Sequence, residues 1–369
     1  MKAIAVYPEQ RLVRLIETEA PSLAGDRQVR LRMLEAGVCG TDKEICAFQY
    51  GTAPQGSRHL ILGHEALGEV VEVGSEVSHL RVGDLVVPSV RRPCPHASCL
   101  ACRQGRQDFC YTGDFLERGI KGAHGFMAEQ VVEEARYLNS VPASLREVGV
   151  LVEPLTIAEK ALAQVLWVQQ RLPWSTPGAG LPPGSGHRAV VLGAGPVGLL
   201  GAMVLTAAGF QTFVYSRESK PNAKADLAEA FGAQYLSSES VPVKALAERV
   251  GSIDVVYEAV GASQLAFEVM RELGPNGVFV FTGVPGRKAP VPVDTDALMR
   301  SLVLKNQVAL GTVNAGKDAF DAAIRDLGLF MKRWPEAVRA LITRRASLEA
   351  YPEFLQGKAA GIKNTLRLS

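Results

Sequence analysis

The sequence Ala189-Val-Val-Leu-Gly193-Ala-Gly195-Pro-Val-Gly198 decides the fold of this chain. Four apolar residues, typical of a buried strand, lead directly into a Gly-x-Gly-x-x-Gly turn. An apolar segment over residues 199–208 then predicts a buried helix that ends before Gly209. The glycines permit a tight turn, a close approach of a pyrophosphate and packing of the helix on the strand, while the helix N-terminus offers N–H groups to phosphates. The stretch therefore predicts a dinucleotide-binding domain, and an ordinary strand-to-helix turn is the alternative.

The end of the next strand bears on which dinucleotide is bound. Residues 211–215 form a short apolar run, and Ser216, Arg217 and Glu218 follow it. A hydroxyl and a guanidinium suit a 2′-phosphate, which favours NADP. An acidic residue at this place binds the ribose hydroxyls of NAD instead, so Glu218 keeps NAD possible.

Further strands alternate with helices after this point. Strands are expected within residues 253–261, 277–283 and 308–314, and a helix is expected over 224–231. This alternation predicts a doubly wound parallel sheet. Loops at the carboxyl ends of such strands face the ligand, so residues 259–261 and the group Phe281, Thr282 and Gly283 are expected to line the cofactor.

The first part of the chain has a different pattern. Short alternating strands and glycine turns over residues 1–35, 60–74 and 82–88 predict a partly open β-barrel, and a Pro-, Gly- and Ser-rich connector covers 172–187. The predicted fold class is α/β. Its predicted domains are a β-rich catalytic domain over 1–186, a Rossmann domain over 187–308, and a C-terminal return to the first domain over 309–369.

Cys39, His64 and Glu65 form the first group of candidate ligands. Thiolate and imidazole are ligands that zinc prefers, and a catalytic zinc takes three protein ligands and keeps one position open. Each residue also has a simpler interpretation, as a buried cysteine, a turn histidine or an outer carboxylate. Glu153 is a fourth candidate because a charge inside an apolar stretch needs a partner.

Four cysteines form the second group, at Cys94, Cys99, Cys102 and Cys110. Four thiolates at this spacing can close a tetrahedral site with no position for substrate, which is the pattern of a structural zinc. The alternative is a set of free thiols in a loop.

Composition limits the function classes. The chain has 369 residues, of which 47% are hydrophobic and 21% charged, and a net charge of +2. These values indicate a folded protein without the basic excess that nucleic acid or an acidic membrane would attract. The N-terminal residues predict a strand rather than a signal peptide, and no apolar run has the length of a membrane span. We therefore expect a cytoplasmic protein.

The motifs together resemble the zinc-dependent medium-chain dehydrogenase/reductase superfamily. They are Gly37-Val-Cys39-Gly-Thr41-Asp, Gly63-His64-Glu65, the four-cysteine loop and the glycine turn. Several segments are similar to the archaeal-type glucose 1-dehydrogenase branch, namely Gly105-Arg-Gln-Asp-Phe-Cys110, Gly113-Asp-Phe-Leu-Glu117, Gly125-Phe126-Met, Glu153-Pro154-Leu155, Glu159-Lys160 and Thr312-Val313-Asn314.

This resemblance implies a GroES-like catalytic domain and two zinc ions. The catalytic zinc would be held by Cys39 and His64, with Glu65 and Glu153 completing the site directly or through water, and the four cysteines would hold the structural zinc. The implied cofactor contacts are Ala194, Gly195, Pro196, Val197, Ser216, Arg217, Phe281, Thr282, Gly283, Asn314 and Lys363. The implied substrate contacts are Thr41, Ser89, Glu117, Glu153, Ile157, Leu304 and Asn314.

The implied reaction is hydride transfer from the C1 hydroxyl of an aldose to NADP or NAD, with a lactone as product and Thr41 in the proton path. The sequence departs from the branch at Ser89, Ile157 and Leu304, where the branch has Asn, Asp and His, and at Glu218, where it has a second Arg. A zinc alcohol or polyol dehydrogenase is therefore an alternative, and a non-catalytic NADP-binding protein is a remote one. The superfamily also implies a homodimer or homotetramer and a small polyhydroxylated substrate.

Overall fold

The computed structural model describes residues 1–174, 180–286 and 290–368. Within these ranges the strands are β1 (Lys2–Tyr7), β2 (Leu12–Glu17), β3 (Gln28–Gly37), β4 (Leu60–Ile61), β5 (Glu65–Val73), β6 (Leu85–Pro88), β7 (Arg91–Arg92), β8 (Leu116–Arg118), β9 (Gly122–Ala123), β10 (Gln130–Glu134), β11 (Leu138–Val141), β12 (Arg188–Leu192), β13 (Gln211–Ser216), β14 (Gln234–Ser237), β15 (Ile253–Glu258), β16 (Leu273–Phe281), β17 (Val308–Gly311), β18 (Ile342–Ser347) and β19 (Lys363–Arg367).

The α-helices of the same ranges are α1 (Gly40–Cys46), α2 (Leu100–Arg103), α3 (Val152–Gln169), α4 (Pro196–Ala207), α5 (Ala223–Ala230), α6 (Leu246–Val250), α7 (Ser263–Met270), α8 (Thr295–Leu304), α9 (Lys317–Arg333) and α10 (Pro335–Leu341). Short 3₁₀ turns occur at Gln107–Phe109, Ala135–Tyr137, Ala143–Leu145, Gly149–Leu151, Val243–Ala245 and Leu348–Ala350, and a π-helical turn occurs at Pro352–Gln356.

The chain divides into two compact units. Unit 1 comprises Met1–Thr156, Asn314–Gly328 and Leu341–Ser369, and unit 2 comprises Ile157–Val313 and Leu329–Ala340. Each unit has its own hydrophobic core.

Unit 1 is built on a mainly antiparallel sheet in the order β11-β6-β5-β3-β19-β18, with β10 also paired to β3. Along β3 the buried residues Val29, Leu31 and Met33 alternate with more exposed ones, as a strand with one face on a core requires. Its last residue, Gly37, lies opposite Glu65 of β5 on one side and Thr365 of β19 on the other. Three strand ends, from distant parts of the sequence, therefore meet at one place.

Unit 2 contains a six-stranded parallel sheet in the order β14-β13-β12-β15-β16-β17. Numbered within the unit, this is the order 3-2-1-4-5-6 of a doubly wound dinucleotide-binding fold. The strand β12 is buried along nearly its whole length, because helices cover both faces of such a sheet. The predicted α/β fold class with a Rossmann sheet is confirmed.

The division into units differs from the predicted boundaries after residues 186 and 308. The first boundary falls after Thr156, inside α3, and the remainder of that helix packs in unit 2 beside Gly201 and Tyr257. Residues 329–340 also belong to unit 2, where Trp334 contacts the ring of Phe231. Periodicity predicts that a segment is helical, but it does not tell which core the helix covers. Of the predicted connector over 172–187, residues 175–179 lie outside the described residues.

Candidate active site

Cys39, His64 and Glu65 come together in unit 1. Cys39 lies between β3 and α1, and Glu65 begins β5 directly after His64. Because Gly37 pairs with Glu65 across the sheet, the end of β3 lies beside the start of β5. The sulfur, a ring nitrogen and a carboxylate oxygen all lie within 4.8 Å of one another. These donors are zinc ligands by type, and three of them leave one position open, so the residues present fit a catalytic zinc.

Asp42 is a residue of this group that sequence reasoning missed. It is fully buried, its Oδ2 accepts the N–H of Cys39 at 2.9 Å, and its Oδ1 lies 3.5 Å from Nδ1 of His64. Asp42 and Cys39 form a capping box at the start of α1. An acidic residue three positions after a helix N-cap is the signal that could have found it. Asp42 thus holds the backbone of Cys39 and lies beside His64, where a carboxylate can orient a metal-ligating imidazole.

Lys363 of β19 is the second buried partner of this group. Its Nζ contacts Oε2 of Glu65 and donates to the carbonyl of Val38 at 3.1 Å. A Cβ on Gly37 would lie 2.2 Å from Oε2 of Glu65 and 2.8 Å from Cε of Lys363, so only glycine leaves room for the pair. The structure thus brings Lys363 to Glu65 in unit 1, and its expected cofactor contact stays a prediction.

Glu153, the fourth ligand candidate, lies in the first turn of α3 and is buried. The pKa of Glu153 is raised to about 7. Burial is the largest cause of this rise and the charge of Glu65 contributes to it, whereas the charge of His64 opposes it. The cluster of donor atoms that lie within 4.8 Å of one another contains Cys39, His64 and Glu65, and the role of Glu153 as a ligand stays a prediction.

His64 lies among the acidic side chains of this group. Burial disfavours a charged His64, yet the Asp42 carboxylate and the Cys39 sulfur outweigh burial and raise the pKa of His64 well above its usual range. The group contains more acidic than basic side chains. The acidic ones are Cys39, Asp42, Glu65 and Glu153, and the basic ones are His64 and Lys363. Asp42 and Glu65 already face His64 and Lys363, so the ligand that a bound zinc would need deprotonated is the thiol of Cys39.

The four predicted structural cysteines also come together. The sulfurs of Cys94, Cys99, Cys102 and Cys110 lie within 4.8 Å of one another, and Sγ of Cys99 is 3.9 Å from Sγ of Cys110. That separation excludes a disulfide and is close to the roughly 3.8 Å between thiolates around a tetrahedral zinc. The four sulfurs therefore fit a closed zinc site.

Hydrogen bonding adds to the thiolate character of this loop. The pKa of Cys110 is lowered to about 6: burial opposes the shift, but the hydroxyl and N–H of Thr112 and the N–H of Gly113 outweigh it. The backbone N–H of Cys94 donates to Sγ of Cys102 at 3.4 Å, although burial and the neighbouring thiols raise the pKa of Cys102 to about 12. A zinc site requires deprotonated sulfur, so these donors favour the metal-binding form.

The glycine turn lies at the carboxyl end of β12 in unit 2. Gly193 has φ +100°, a left-handed conformation that favours glycine, and a Cβ on Gly198 would lie 2.1 Å from the carbonyl oxygen of Gly193. A Cβ on Gly195 would meet nothing within 4 Å, so the space above this residue is open to a ligand. Gly195 is the N-cap of α4, whose first N–H groups have no partner within the helix. The turn, completed by Ala194, Pro196 and Val197, therefore fits a pyrophosphate.

The two charged residues after β13, which bear on the choice between NADP and NAD, differ in their ion pairing. Ser216 is the last residue of β13, and Arg217 and Glu218 follow it. The Glu218 carboxylate pairs with Nζ of Lys224 at 2.7 Å, whereas Arg217 has no ion pair within the described ranges. The guanidinium is thus available to a ligand, and the carboxylate is already neutralised.

The third part of the predicted cofactor wall lies at the same edge of the sheet. Phe281 ends β16, and Thr282 and Gly283 follow it. Since β12, β15 and β16 are adjacent and parallel, their carboxyl ends lie side by side. The structure therefore brings the residues from Phe281 to Gly283 to the edge that carries the glycine turn.

The predicted substrate residues Thr41, Ser89, Glu117, Glu153 and Asn314 all belong to unit 1. Oε1 of Glu117 accepts from Nη2 of Arg91 at 2.9 Å and from Nδ2 of Asn314 at 3.2 Å. Oγ of Ser89 accepts from Nδ2 of Asn139 at 3.1 Å. Arg91 and Asn139 are polar partners that sequence reasoning missed, because no local pattern links them to Glu117 or Ser89.

The remaining two residues of the implied substrate set lie elsewhere. Ile157 and Leu304 belong to unit 2, and Leu304 is 67% exposed. Their contact with a substrate stays a prediction.

The chain matches two known protein families. Residues 25–143 match the alcohol dehydrogenase GroES-like domain, and residues 146–368 match the glucose dehydrogenase C-terminus. The chain belongs to the glucose dehydrogenase family. The predicted membership of the zinc-dependent medium-chain dehydrogenase/reductase superfamily and of its glucose 1-dehydrogenase branch is confirmed, and the GroES-like part of the predicted fold class with it.

Similar proteins cover the chain almost completely. It is 41% identical to a glucose 1-dehydrogenase of Methanocella arvoryzae, over 98% of each chain. It is 39% identical to glucose 1-dehydrogenase 2 of Vulcanisaeta moutnovskia, over 100% of this chain and 99% of the other. Among solved structures, glucose dehydrogenase of Haloferax mediterranei in complex with NADP, Zn and gluconolactone is 33% identical with a TM-score of 0.88, over 100% of this chain and 99% of that one.

In the described parts of the chain, no helix has both the length and the apolar character that crossing a bilayer requires.

Proposed function

We propose that this chain is a zinc-dependent glucose 1-dehydrogenase that transfers hydride from C1 of an aldose to NADP. The observation that carries the proposal is the convergence of Cys39, His64 and Glu65 within 4.8 Å, in a member of the glucose dehydrogenase family. The product of such a reaction is a lactone, and the Haloferax mediterranei structure is in complex with gluconolactone.

The residues of the Cys39 group have distinct roles in this proposal. Cys39 and His64 would hold the zinc, with Glu65 or Glu153 completing its ligands. When bound, the zinc supplies Lewis acidity that lowers the pKa of the substrate hydroxyl. Oδ2 of Asp42 holds the backbone of Cys39, and its Oδ1 lies 3.5 Å from Nδ1 of His64, on the side where a carboxylate orients a ligating imidazole. The hydroxyl of Thr41, which follows Cys39 in α1, can accept the proton that leaves the substrate and donate its own outward.

Glu117, Asn314 and Ser89 would bind the sugar hydroxyls. Oε1 of Glu117 is held by Arg91 and Asn314, which leaves Oε2 as the acceptor for a substrate hydroxyl. Ser89 accepts a hydrogen bond from Asn139, so its own O–H remains available to donate. Sites built to pair with hydroxyls discriminate strongly against analogues that lack them.

The preference for NADP rests on the end of β13. Arg217 has no competing carboxylate among the ion pairs of the described residues, while Lys224 neutralises Glu218. A guanidinium binds a phosphate through parallel hydrogen bonds, and a neutralised carboxylate repels the phosphate less. The similar Haloferax mediterranei enzyme is in complex with NADP and Zn. We assign the second zinc, at the four cysteines, a structural role.

The test is a panel of initial rates for aldoses, polyols and primary alcohols, each with NADP and with NAD, on enzyme loaded with zinc. We expect the highest kcat/KM with an aldose and NADP. Rates confined to polyols or simple alcohols would contradict the proposal and support the polyol dehydrogenase alternative, which the residues at Ser89, Ile157 and Leu304 favour. Faster reaction with NAD would show that Glu218 governs the ribose site. A cytoplasmic location and a homodimer or homotetramer stay predictions from the sequence.

A further inference from the structure

Glu258, the last residue of β15, is a buried carboxylate that has no role in the proposed reaction. It is 2% exposed and has no ion-pair partner in the parts of the chain that the structure describes. A buried carboxylate is costly unless hydrogen bonds satisfy it. The partners that satisfy Glu258 therefore indicate what this residue does.

Backbone N–H groups from two separate loops bind this carboxylate. Oε1 accepts from the N–H of Val260 at 2.8 Å and from that of Gly261 at 2.7 Å. Oε2 accepts from the N–H of Gly283 at 3.2 Å. The carbonyl of Glu258 also accepts from Oγ1 of Thr282 at 2.7 Å. One residue thus joins the loop after β15 to the loop after β16.

The two loops pack closely against each other and against the glycine turn. A Cβ on Gly283 would lie 2.2 Å from the backbone nitrogen of Gly261 and 2.8 Å from Oε2 of Glu258. A Cβ on Gly193 would lie 2.6 Å from Cγ2 of Val260. Three loops at the carboxyl edge of the sheet therefore meet around Glu258, and in a doubly wound fold this edge binds the dinucleotide.

We propose that Glu258 is a positioning residue for the cofactor, which acts by holding the loops after β15 and β16 at a fixed separation. This inference rests on the proposed function, because it assigns these loops to the nicotinamide dinucleotide. Glu258 would act through these loops, because their backbone N–H groups occupy its carboxylate oxygens. A fixed separation matters because hydride transfer loses rate steeply when the reacting groups are misplaced.

The substitution Glu258→Gln tests this separation directly. The amide keeps the size of the side chain and one oxygen, which can still accept from Val260 and Gly261. Its NH₂ group would then face the N–H of Gly283, so two donors oppose each other. If the amide is rotated by 180°, its NH₂ group faces the N–H groups of Val260 and Gly261 in the loop after β15 instead. In either orientation the side-chain link between the loops is broken, whereas the hydrogen bond from Thr282 to the backbone carbonyl of residue 258 is kept.

Gln307→Ala is the matched control. Nε2 of Gln307 donates to the carbonyls of Leu273 and Gly274 at the start of β16, which is the opposite end of the same strand. This variant also removes hydrogen bonds from a buried side chain of unit 2, but it leaves the carboxyl edge unchanged. It therefore measures what general destabilisation of the sheet does to cofactor binding.

The experiment uses the full chain loaded with zinc, and measures Kd for NADP by calorimetry, KM for NADP and for glucose, and zinc content. We expect Glu258→Gln to raise Kd and KM for NADP about tenfold, the scale of a lost charged hydrogen bond. KM for glucose should stay within about twofold and zinc content unchanged. Gln307→Ala should change neither KM. If Glu258→Gln fails to fold, Glu258→Asp, whose reach is shorter by one methylene, must show the same selective rise.

Unchanged NADP affinity in the folded variants would overturn the inference. So would equal rises in both KM values, or the same rise in Gln307→Ala, since either result would mean a structural role only. If wild-type protein binds no NADP or oxidises no aldose, the proposed function fails instead, and the two failures are distinguishable.

Discussion

The two candidate metal groups of unit 1 are built in opposite ways. The Cys39 group draws its ligands from the ends of two paired strands, and the buried charged side chains of Asp42 and Lys363 contact it. The four-cysteine group comes from one loop within residues 94–110 and presents only sulfur. The first arrangement leaves a metal position open and surrounds it with proton-carrying groups, whereas the second closes all four positions.

This difference predicts a catalytic role for the Cys39 group and a stabilising role for the four-cysteine group. A group that depends on strand pairing is precise, because the rigid sheet sets the positions of its ligands. A loop that supplies every ligand itself can fold around its metal, and the binding energy then stabilises the fold. If both groups bind zinc, removing one ligand from each should have different consequences.

The largest effect should come from Cys39→Ser with Cys99→Ser as its counterpart. We expect Cys39→Ser to lower turnover roughly a thousandfold or more, because several kcal/mol of Lewis-acid stabilisation are lost. NADP binding and the thermal midpoint should change little. Cys99 is fully buried, and we expect Cys99→Ser to lower the thermal midpoint by about 5 °C or more while the folded fraction retains activity.

Metal analysis, calorimetry and initial rates check this prediction together. Each variant should lose one of the two zinc ions per chain. Activity of Cys39→Ser within tenfold of wild type would contradict the catalytic assignment. A stable but inactive Cys99→Ser would contradict the structural one.

A smaller effect should distinguish the carboxylates beside the two groups. Asp42 lies beside His64 and is fully buried, whereas Asp114 contacts His96 near the four cysteines and its side chain is 62% exposed. Asp42→Asn keeps an acceptor for the N–H of Cys39 but removes the charge beside the imidazole. We expect about a tenfold to hundredfold loss of turnover or zinc affinity, the usual range for such partners of ligands.

The control is Asp114→Asn, which makes the same chemical change at an exposed pair that solvent screens. Turnover and zinc retention during chelator titration should stay within about twofold. Equal effects of the two substitutions would mean that burial of the carboxylate beside the ligand does not matter. The difference in role between the two metal groups would then have another cause.

The same contrast explains what the sequence could predict. The four cysteines lie close together in the chain, so their spacing alone predicts their convergence. The glycine turn and the parallel sheet are also local patterns repeated along the chain, and the fold class followed from them. Cys39, His64 and Glu65 were selected by residue type, although only the pairing of β3 with β5 brings them together.

Side-chain partners that depend on distant pairing were not predictable in this way. Lys363 reaches Glu65 because β19 pairs with β3, and Arg91 reaches Glu117 across β7 and β8. Nothing in the periodicity of either segment specifies these neighbours. The sequence also contains no sign of a boundary inside α3, since one continuous helix is divided between the two units.

The smallest effect that we expect is on the stability of the protein in acid, through the turn that carries His64. Nδ1 of His124 accepts the N–H of Ile61 at 3.1 Å, and a Cβ on Gly125 would lie 2.3 Å from the carbonyl oxygens of Leu62 and Gly63. The segment with His124 therefore supports the residues that precede His64. Burial is the largest cause that lowers the pKa of His124 from 6.5 to about 4, and the nearby His59 and Arg118 contribute to the same shift.

The sign of the pH dependence follows from this shift. Between pH 6.5 and about 4 the unfolded chain binds a proton at His124 that the folded chain does not, so stability falls as the pH falls through this window. Below it both forms are protonated and His124 contributes no further slope. His124→Asn keeps an acceptor near the position of Nδ1 and cannot titrate. Its thermal midpoint should therefore fall less than that of wild type between pH 7 and about 4.5.

The comparison must be made between variants at each pH, because acid also protonates zinc ligands and releases metal from both groups. His79→Asn is the matched control, since Nε2 of His79 lies 3.4 Å from the carbonyl of Ala135, away from the turn. A flatter pH profile for His124→Asn alone would assign part of the acid sensitivity to the support of the Cys39 group. Equal profiles for wild type and both variants would mean that acid acts on the metal ligands themselves. The two groups would then differ in their chemistry but not in their resistance to protons.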